Sequence, residues 1–99
     1  MPSTTTLSMF YTYVLKSRRD GKYYIGYTNN LKRRLAEHQK ALNMSTKYRL
    51  PLNLVYYEAC LNMNDAKRRE NYLKTTQGRR FIGLRLKEYL RHRALGSEG

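Results

Sequence analysis

The sequence predicts an α+β fold, a three-stranded, mainly antiparallel sheet flanked by helices in the order β-β-α-β-α-α. Three features support this prediction: an Asp-Gly turn between two tyrosine-rich runs, a third alternating run after Pro51, and apolar residues at helical spacing on both sides of that run. A chain of 99 residues is long enough for one such domain. We expect the domain to span residues 9–94, with a flexible tail at 1–8 and a frayed end at 95–99.

The first two strands are expected to form a hairpin over residues 9–27. Its first arm, Met9 to Leu15, is rich in the aromatic and β-branched residues that suit a half-buried pleated strand. Asp20-Gly21 can adopt the positive φ angles of a tight hairpin turn, and the second arm returns from Lys22 to Tyr27. Alternation along each arm sends successive side chains to opposite faces of the sheet.

The segment after the hairpin predicts a helix from about Leu31 to Leu42, because leucines recur there at helical spacing. On this helix Arg34 and His38 lie four residues apart, so their side chains meet on one face. Together with Tyr24 at the end of the hairpin, this pair is more chemistry than a small core needs. Three consecutive polar residues before the helix are good N-caps: Thr28, Asn29 and Asn30.

Residues 43–51 are expected to form a basic loop that could contact a ligand, because they are polar and end at a proline. Residues 52–61 then predict a third strand, since apolar and polar side chains alternate there. Strict alternation would place four side chains on one face, Val55, Tyr57, Ala59 and Leu61, and four on the other, Leu54, Tyr56, Glu58 and Cys60.

Two more helices complete the predicted fold. The residues Asn62–Asp65 cap the first of them, which runs from Asp65 to about Thr76 and stops at Gln77-Gly78. The second runs from about Arg79 to Ala94, with apolar residues along one stripe.

Glu70 occupies a position where the helix pattern expects an apolar residue, on one stripe with Ala66 and Leu73. Burying a carboxylate without partners is unfavourable. Two interpretations remain open. Glu70 could pair with Arg34, Arg69 or another basic neighbour, or it could bind Mg²⁺, which proteins commonly hold with few carboxylates plus water and phosphate oxygens.

Arg34 and His38 carry similar alternatives. Arg34 lies beside the apolar stripe of its helix and either forms a structural ion pair or clamps a phosphate, whose oxygens match the guanidinium group. His38 is either an ordinary hydrogen-bonded surface histidine or a partner of Arg34 in a site.

The charge points to a polyanionic partner. The chain has 20 Lys and Arg against 7 Asp and Glu, which gives a formal net charge of +13. Such an excess attracts nucleic acid, although a protein bound to ribosomes or to an anionic membrane surface would share it. The candidate phosphate contacts are Arg33, Lys47, Arg49, Arg68, Arg69, Lys74, Arg79 and Arg80.

Other features argue against membrane and secreted classes. No apolar run approaches the about 20 residues of a membrane-spanning helix, and the N-terminal Met-Pro-Ser-Thr-Thr-Thr does not resemble a secretory signal. The single cysteine, Cys60, cannot form an internal disulfide. We therefore expect a cytoplasmic protein that does not enter a membrane.

Four short motifs, taken in order, resemble the GIY-YIG nuclease domain: Tyr11-Thr12-Tyr13-Val14, Tyr24-Ile25-Gly26, Asn30-Leu31-x-x-Arg34-Leu35-x-x-His38 and Ala66-x-x-x-Glu70. The likeness covers roughly residues 9–85 and is greatest to small stand-alone members similar to the N-terminal nuclease domain of the DNA-cutting excinuclease protein. It departs from the family pattern in two places. The first triplet lacks its glycine and isoleucine, and Tyr27 stands where some members have a lysine.

The resemblance implies roles for five residues. Tyr13 and Tyr24 match the tyrosines of the two triplets. Arg34 matches the helix arginine, Glu70 the metal-binding glutamate, and His38 a histidine that some members use. A divalent metal, Mg²⁺ or Mn²⁺, on Glu70 would polarise the phosphate, and Arg34 would stabilise the developing charge. Tyr13 would deprotonate water, and positive charge around it would favour the phenolate over the phenol, whose ordinary pKa is about 10.

The leading interpretation is an endonuclease that hydrolyses DNA, with RNA as a second candidate partner. Structure-selective cleavage and a role in DNA repair or processing would fit it. One alternative is a nucleic-acid binding module that keeps the fold but hydrolyses little or nothing, which the missing triplet glycine favours. Another is a protein that contributes only interactions to a larger assembly. The sequence is compatible with a monomer or a weak dimer.

Overall fold

The structure, a computed structural model, describes residues 8–40 and 50–94. The strands of these ranges form one antiparallel sheet in the order β2-β1-β3, with helices on both faces. The predicted α+β class and its three-stranded antiparallel sheet are therefore confirmed. The elements are β1 Phe10–Ser17, β2 Tyr23–Thr28, α1 Leu31–Gln39, β3 Leu52–Cys60, α2 Met63–Leu73, α3 Thr76–Arg85 and α4 Lys87–Ala94.

Several predicted features lie outside the described residues. These are the N-terminal tail apart from Ser8, the end of the first helix near Leu42, the loop at 43–51 apart from its last two residues, and the C-terminal residues 95–99. The candidate phosphate contacts Lys47 and Arg49 lie outside them as well.

β1 is the central strand and is buried on both faces. On one face Tyr13 and Leu15 pack against α1, and on the other Val14 packs against α2 and α3. The alternation predicted for the hairpin is therefore confirmed, and the two helical layers lie on either side of it. The fully buried core residues are Tyr13, Leu15 and Leu52 on the α1 face and Val14, Leu73 and Ile82 on the opposite face.

The predicted faces of β3 are wrong in the first half of the strand. Val14 pairs with Tyr56, but its neighbour Leu15 pairs with Leu54, so a β-bulge shifts the register. Val55 is the extra residue, and it packs with Tyr56 on the side of α2 and α3. Leu54 instead packs on the α1 face. Strict alternation cannot reveal a bulge, because the bulge is defined only against the partner strand.

The second predicted helix ends earlier than expected, at Leu73, and Gly78 lies inside the next helix. Thr75 caps α3, because its hydroxyl accepts a hydrogen bond from the Gly78 N–H at 3.0 Å. A Cβ on Gly78 would collide with the Tyr72 carbonyl oxygen. The glycine therefore allows α3 to begin tightly against the end of α2, and it does not terminate that helix.

The third predicted helix is two helices. Helix α3 ends at Arg85 and α4 begins at Lys87, while Leu86 between them leaves helical backbone geometry at φ −107° and ψ 24°. No glycine or proline marks this break in the sequence, so the pattern reads as continuous. The helices within the described ranges are all short, and none is long and apolar enough to cross a lipid bilayer.

Candidate active site

A polar cleft of about 470 Å³ runs along the edge strand β2. Residues 23–27 of β2 line it, with α1 on one side and α2 and α3 on the other. The structure thus brings together all five residues that the resemblance implies as catalytic and two of the candidate phosphate contacts. These seven residues are Tyr13, Tyr24, Arg34, His38, Glu70, Lys74 and Arg79.

Tyr13 is the centre of a hydrogen-bond network in the cleft. Its phenol oxygen lies 3.2 Å from His38 Nε2 and 3.4 Å from Arg34 Nε. Because a guanidinium group can only donate, the Tyr13 oxygen accepts from Arg34, and the Tyr13 proton can be donated to His38. His38 is only 4% exposed, so the alternative of an ordinary surface histidine is wrong.

Burial controls the protonation of Tyr13 and His38. It raises the pKa of the Tyr13 phenol above its ordinary value of 10.0, and the hydrogen bond and charge of Arg34 offset this only in part. Burial, and after it the charge of Arg34, lowers the pKa of the His38 imidazole below its ordinary value of 6.5. At neutral pH both groups are therefore uncharged. The expectation that positive charge favours a Tyr13 phenolate is wrong for the protein itself, because desolvation outweighs the charge.

Gly26 makes room for the Tyr13 ring. The two residues pair directly across the hairpin. A Cβ at position 26 would lie 2.5 Å from the Tyr13 hydroxyl oxygen and 2.7 Å from its Cζ atom, which is closer than non-bonded atoms approach. The absence of a side chain at Gly26 therefore allows the phenol to lie over β2, where it meets His38 and Arg34.

We expect Gly26→Ala to lower the free energy of unfolding by about 1–3 kcal/mol, because the added methyl group would displace the Tyr13 ring from its packed position. Denaturant-induced unfolding followed by circular dichroism would measure the change. Gly83→Ala in α3 is a matched control, since a Cβ there meets nothing within 4 Å. This control should be neutral or stabilising by about 0.5–1 kcal/mol. Equal stability of the two variants would contradict the packing role of Gly26.

Tyr24 is held by the hairpin turn. Its hydroxyl donates to Asp20 Oδ2 at 3.1 Å, and Asp20 Oδ1 accepts from the Lys22 N–H at 2.8 Å. The turn itself needs Gly21, whose φ of 72° lies in the left-handed region. Tyr24 packs on the α1 face of the sheet, as Tyr13 does. The turn therefore fixes one phenol of the cleft from outside it.

Arg34 and Glu70 both have ion-pair partners. Arg34 Nη1 donates to Glu37 Oε1 at 3.1 Å, within α1. Glu70 Oε2 accepts from Lys74 Nζ at 2.8 Å. The Glu70 side chain is 16% exposed and that of Lys74 49%, so the pair lies at the surface of the cleft. Of the ion-pair partners open to Glu70 in the sequence, the structure selects this basic neighbour and neither Arg34 nor Arg69.

Glu70 suits a metal that needs few protein ligands. It is the one carboxylate among the described residues that line the cleft. Residues 8–40 and 50–94 contain no group of three or more His, Cys, Asp or Glu placed to hold an ion together. This donor set does not match a four-ligand zinc site or a calcium cage. It matches Mg²⁺ or Mn²⁺, which take most of their ligands from water and substrate phosphate.

Arg69 has a role in the fold. Its guanidinium group forms two-pronged hydrogen bonds with the Glu58 carboxylate at 2.8–3.0 Å. Its Cζ atom also lies over the rings of Tyr72, at 5.1 Å from the centroid, and Phe81, at 4.7 Å. These contacts join β3, α2 and α3. The structure therefore places this candidate phosphate contact away from the cleft.

The other candidate phosphate contacts within the described residues are exposed. Arg33 Nε lies 3.7 Å from Glu37 Oε2, and Arg68 Nη1 lies 3.0 Å from Asp65 Oδ1. Arg80 is exposed as well. Exposed pairs of this kind contribute little to stability, so these side chains remain free to contact an anionic ligand.

Sequence reasoning missed the acidic partners within the site. Asp20 holds Tyr24, and Glu37 holds Arg34. The spacing of three residues between Arg34 and Glu37 on one helix could have indicated the second contact. No local pattern indicates the first, because it depends on how the hairpin turn brings Asp20 under the Tyr24 ring.

Comparisons with known proteins identify relatives of the chain. A family model described as the GIY-YIG catalytic domain matches residues 9–93. The chain is 43% identical over 65 residues to a UPF0213 protein of Streptococcus pneumoniae serotype 4, which is 65% of each chain. It is 40% identical over 67 residues to one of Clostridium perfringens, covering 67% of this chain and 71% of the relative. The aligned part thus spans about two thirds of these relatives. No solved structure matches the chain.

Proposed function

We propose, because the chain belongs to the GIY-YIG family of catalytic domains, that it is an endonuclease that hydrolyses DNA with the help of a divalent metal ion. The observation that supports this best is the convergence of a hydrogen-bonded Tyr13 with Arg34 and Glu70 in one cleft. Phosphodiester hydrolysis needs a proton acceptor for water, stabilisation of the charge on phosphorus, and a metal ligand. These three residues can supply these functions in that order.

In the proposed reaction Tyr13 and His38 form a proton relay. A water molecule beside Tyr13 attacks phosphorus, and a new P–O bond forms as the bond to the leaving oxygen breaks. The water proton passes to the Tyr13 oxygen while the Tyr13 proton passes to His38 Nε2, 3.2 Å away. No free phenolate has to form in this route, which fits the raised pKa of Tyr13 and the lowered pKa of His38.

Positive side chains of the cleft would bind and stabilise the phosphate. Arg34 is 40% exposed, so its guanidinium group can reach a ligand while Nε still holds the Tyr13 oxygen. Lys74 and Arg79 line the opposite side of the cleft. Fixed positive charges that face the developing charge lower the barrier of such a reaction.

Glu70 would hold the metal ion, which when bound would polarise the phosphate and stabilise the leaving oxygen. In the structure the Lys74 ammonium group occupies the same carboxylate at 2.8 Å. Lys74 therefore competes with the metal in the free protein. We infer that substrate phosphate draws Lys74 away and that metal and nucleic acid bind cooperatively.

Replacing Lys74 by Met should raise the affinity for Mn²⁺ in the absence of nucleic acid by about two- to fivefold, the scale of a solvent-screened ion pair. The same change should weaken DNA binding, because a phosphate contact is lost. Isothermal titration calorimetry with Mn²⁺ would measure the first effect. Lys87→Met, on the exposed side of α4, is the control and should leave Mn²⁺ affinity unchanged. Unaltered or weaker Mn²⁺ binding by the Lys74 variant would contradict the competition.

The proposal includes a cytoplasmic setting and a role in DNA repair or processing, which the likeness to the nuclease domain of the DNA-cutting excinuclease protein supports. We also propose that the protein acts as a monomer or a weak dimer and selects DNA by its structure. The test is cleavage of plasmid, nicked, flapped, branched and single-stranded DNA, and of RNA, with Mg²⁺, Mn²⁺ or a chelator. Metal-dependent cleavage would support the proposal. Salt-sensitive binding without cleavage of any substrate would support the alternative of an inactive binding module.

A further inference from the structure

A second pocket, of about 440 Å³, lies on the other flank of α1 from the cleft. Tyr11 and Tyr57 form its sheet side, and Leu35 and Lys32 of α1, with Asn29 just before that helix, form the rest of its rim. We call it the aromatic pocket. Its volume is in the range of sites that bind small organic groups, and its lining combines aromatic faces with an amide and a positive charge.

Tyr57 is open for an aromatic residue in a strand. It is 51% exposed, whereas Tyr13, with which it pairs across β1 and β3, is 3% exposed. Neither hydrophobic core includes Tyr57. Its ring meets the Tyr11 ring edge-on at a centroid distance of 6.0 Å, which restricts its motion. The fold therefore holds this ring in place without burying it.

The aromatic pocket and the cleft lie on the same face of the sheet. Paired residues of neighbouring strands project to one side, so Tyr57 stands beside Tyr13. Tyr11 and Tyr13 are two residues apart on β1, which is about 7 Å along a strand. A single nucleic-acid strand could therefore contact both sites within a few nucleotides, by passing over the beginning of α1.

We propose that the aromatic pocket binds an unpaired nucleobase of the strand whose phosphate occupies the cleft. This proposal rests on the proposed nuclease function and names its substrate class, nucleic acid with single-stranded nucleotides beside the cut. The base stacks on Tyr57, the Asn29 amide faces its edge, and Lys32 lies near the adjoining phosphate. A base within a duplex cannot enter, because neighbouring bases already cover both of its faces.

The test is binding of a single-stranded oligonucleotide and of a duplex of the same length, measured by fluorescence anisotropy with a chelator present so that no strand is cut. We expect Tyr57→Ala to weaken single-strand binding by about ten- to hundredfold and to leave duplex binding within about twofold. Tyr57→Phe keeps the stacking ring and should bind like the unchanged protein. Tyr89→Ala, in an exposed tyrosine of α4, is the matched control and should change neither affinity.

A second measurement reports the stacking itself. A 2-aminopurine in the single strand should lose fluorescence on binding to the unchanged protein and to the Phe variant, but not to Tyr57→Ala. Equal losses for single strand and duplex, no loss, or a Phe variant as weak as the Ala variant would overturn the pocket. So would an unchanged protein that does not bind single strands.

The two proposals fail in different ways. If the binding results hold but no substrate is cleaved with Mg²⁺ or Mn²⁺, the pocket stands and the nuclease function fails. If cleavage occurs and Tyr57→Ala cuts single-stranded and duplex substrates in the same ratio as the unchanged protein, the nuclease function stands and the pocket fails. Circular dichroism of each variant would show that the fold is intact.

Discussion

Glu70→Gln should reduce the rate of metal-dependent DNA cleavage by at least about 10²–10³-fold, the scale observed when one group that stabilises transition-state charge is removed. The amide keeps the size of the side chain but loses the negative charge that would hold a divalent ion. It also loses the ion pair with Lys74, whose ammonium nitrogen lies 2.8 Å from the carboxylate. Single-turnover cleavage at saturating protein, as a function of Mg²⁺ concentration, would measure the loss.

The control for this variant is Glu88→Gln on α4. Glu88 also pairs with a basic residue of its own helix, Arg91, but its side chain is 76% exposed. This change removes the same charge from the chain and should leave cleavage unaltered. DNA binding in a chelator should be similar for both variants. If Glu70→Gln cleaves as fast as Glu88→Gln, Glu70 does not hold the metal and the assignment of the site is wrong.

Tyr13→Phe should reduce cleavage by about 10²–10⁴-fold, the range for loss of a group that transfers protons. The variant keeps the buried ring but removes the oxygen that accepts from Arg34 and donates to His38. Tyr56→Phe is the matched control, since it removes a phenol that donates to Glu58 at 2.9 Å on the other face of the sheet. Both variants lose one hydrogen-bonded hydroxyl, and only the first should lose activity.

The pH dependence of cleavage distinguishes the relay from a resident phenolate. Since the pKa of His38 is lowered below 6.5, the imidazole stays neutral until the pH falls below that value. The rate should therefore be level around neutral pH and fall only in acid. A phenolate mechanism would instead give a rate that rises toward the raised pKa of Tyr13, above 10.0. A rate that climbs steadily from pH 7 to pH 10 would contradict the relay.

The same pKa shift has a consequence for stability. In the unfolded chain His38 takes up a proton near pH 6.5, whereas in the fold it does so only at a lower pH. Between these values the unfolded state binds more protons, so stability rises with pH. The contribution of burying neutral His38 is complete above pH 6.5 and is lost as the pH falls toward the folded pKa.

Local patterns in the sequence determined the hairpin and all the strands, because turn residues and alternation are properties of neighbouring residues. The motif from Tyr24 to His38, read with Tyr13 and Glu70, also named five residues that the structure brings into one cleft. Helix lengths were less accessible. The end of α2 at Leu73 depends on the contact of Gly78 with the backbone of the preceding helix, which spacing alone does not show.

The tertiary structure alone decided the chemistry within that cleft. The bulge at Val55 exists only relative to β1, and the function of Gly26 became clear only once the Tyr13 phenol lay over it. Above all, charge in the sequence favoured a Tyr13 phenolate, whereas the structure gives a neutral phenol. The physical reason is desolvation. It depends on how completely α1 and the sheet exclude water from Tyr13 and His38, which lie 25 residues apart in the chain.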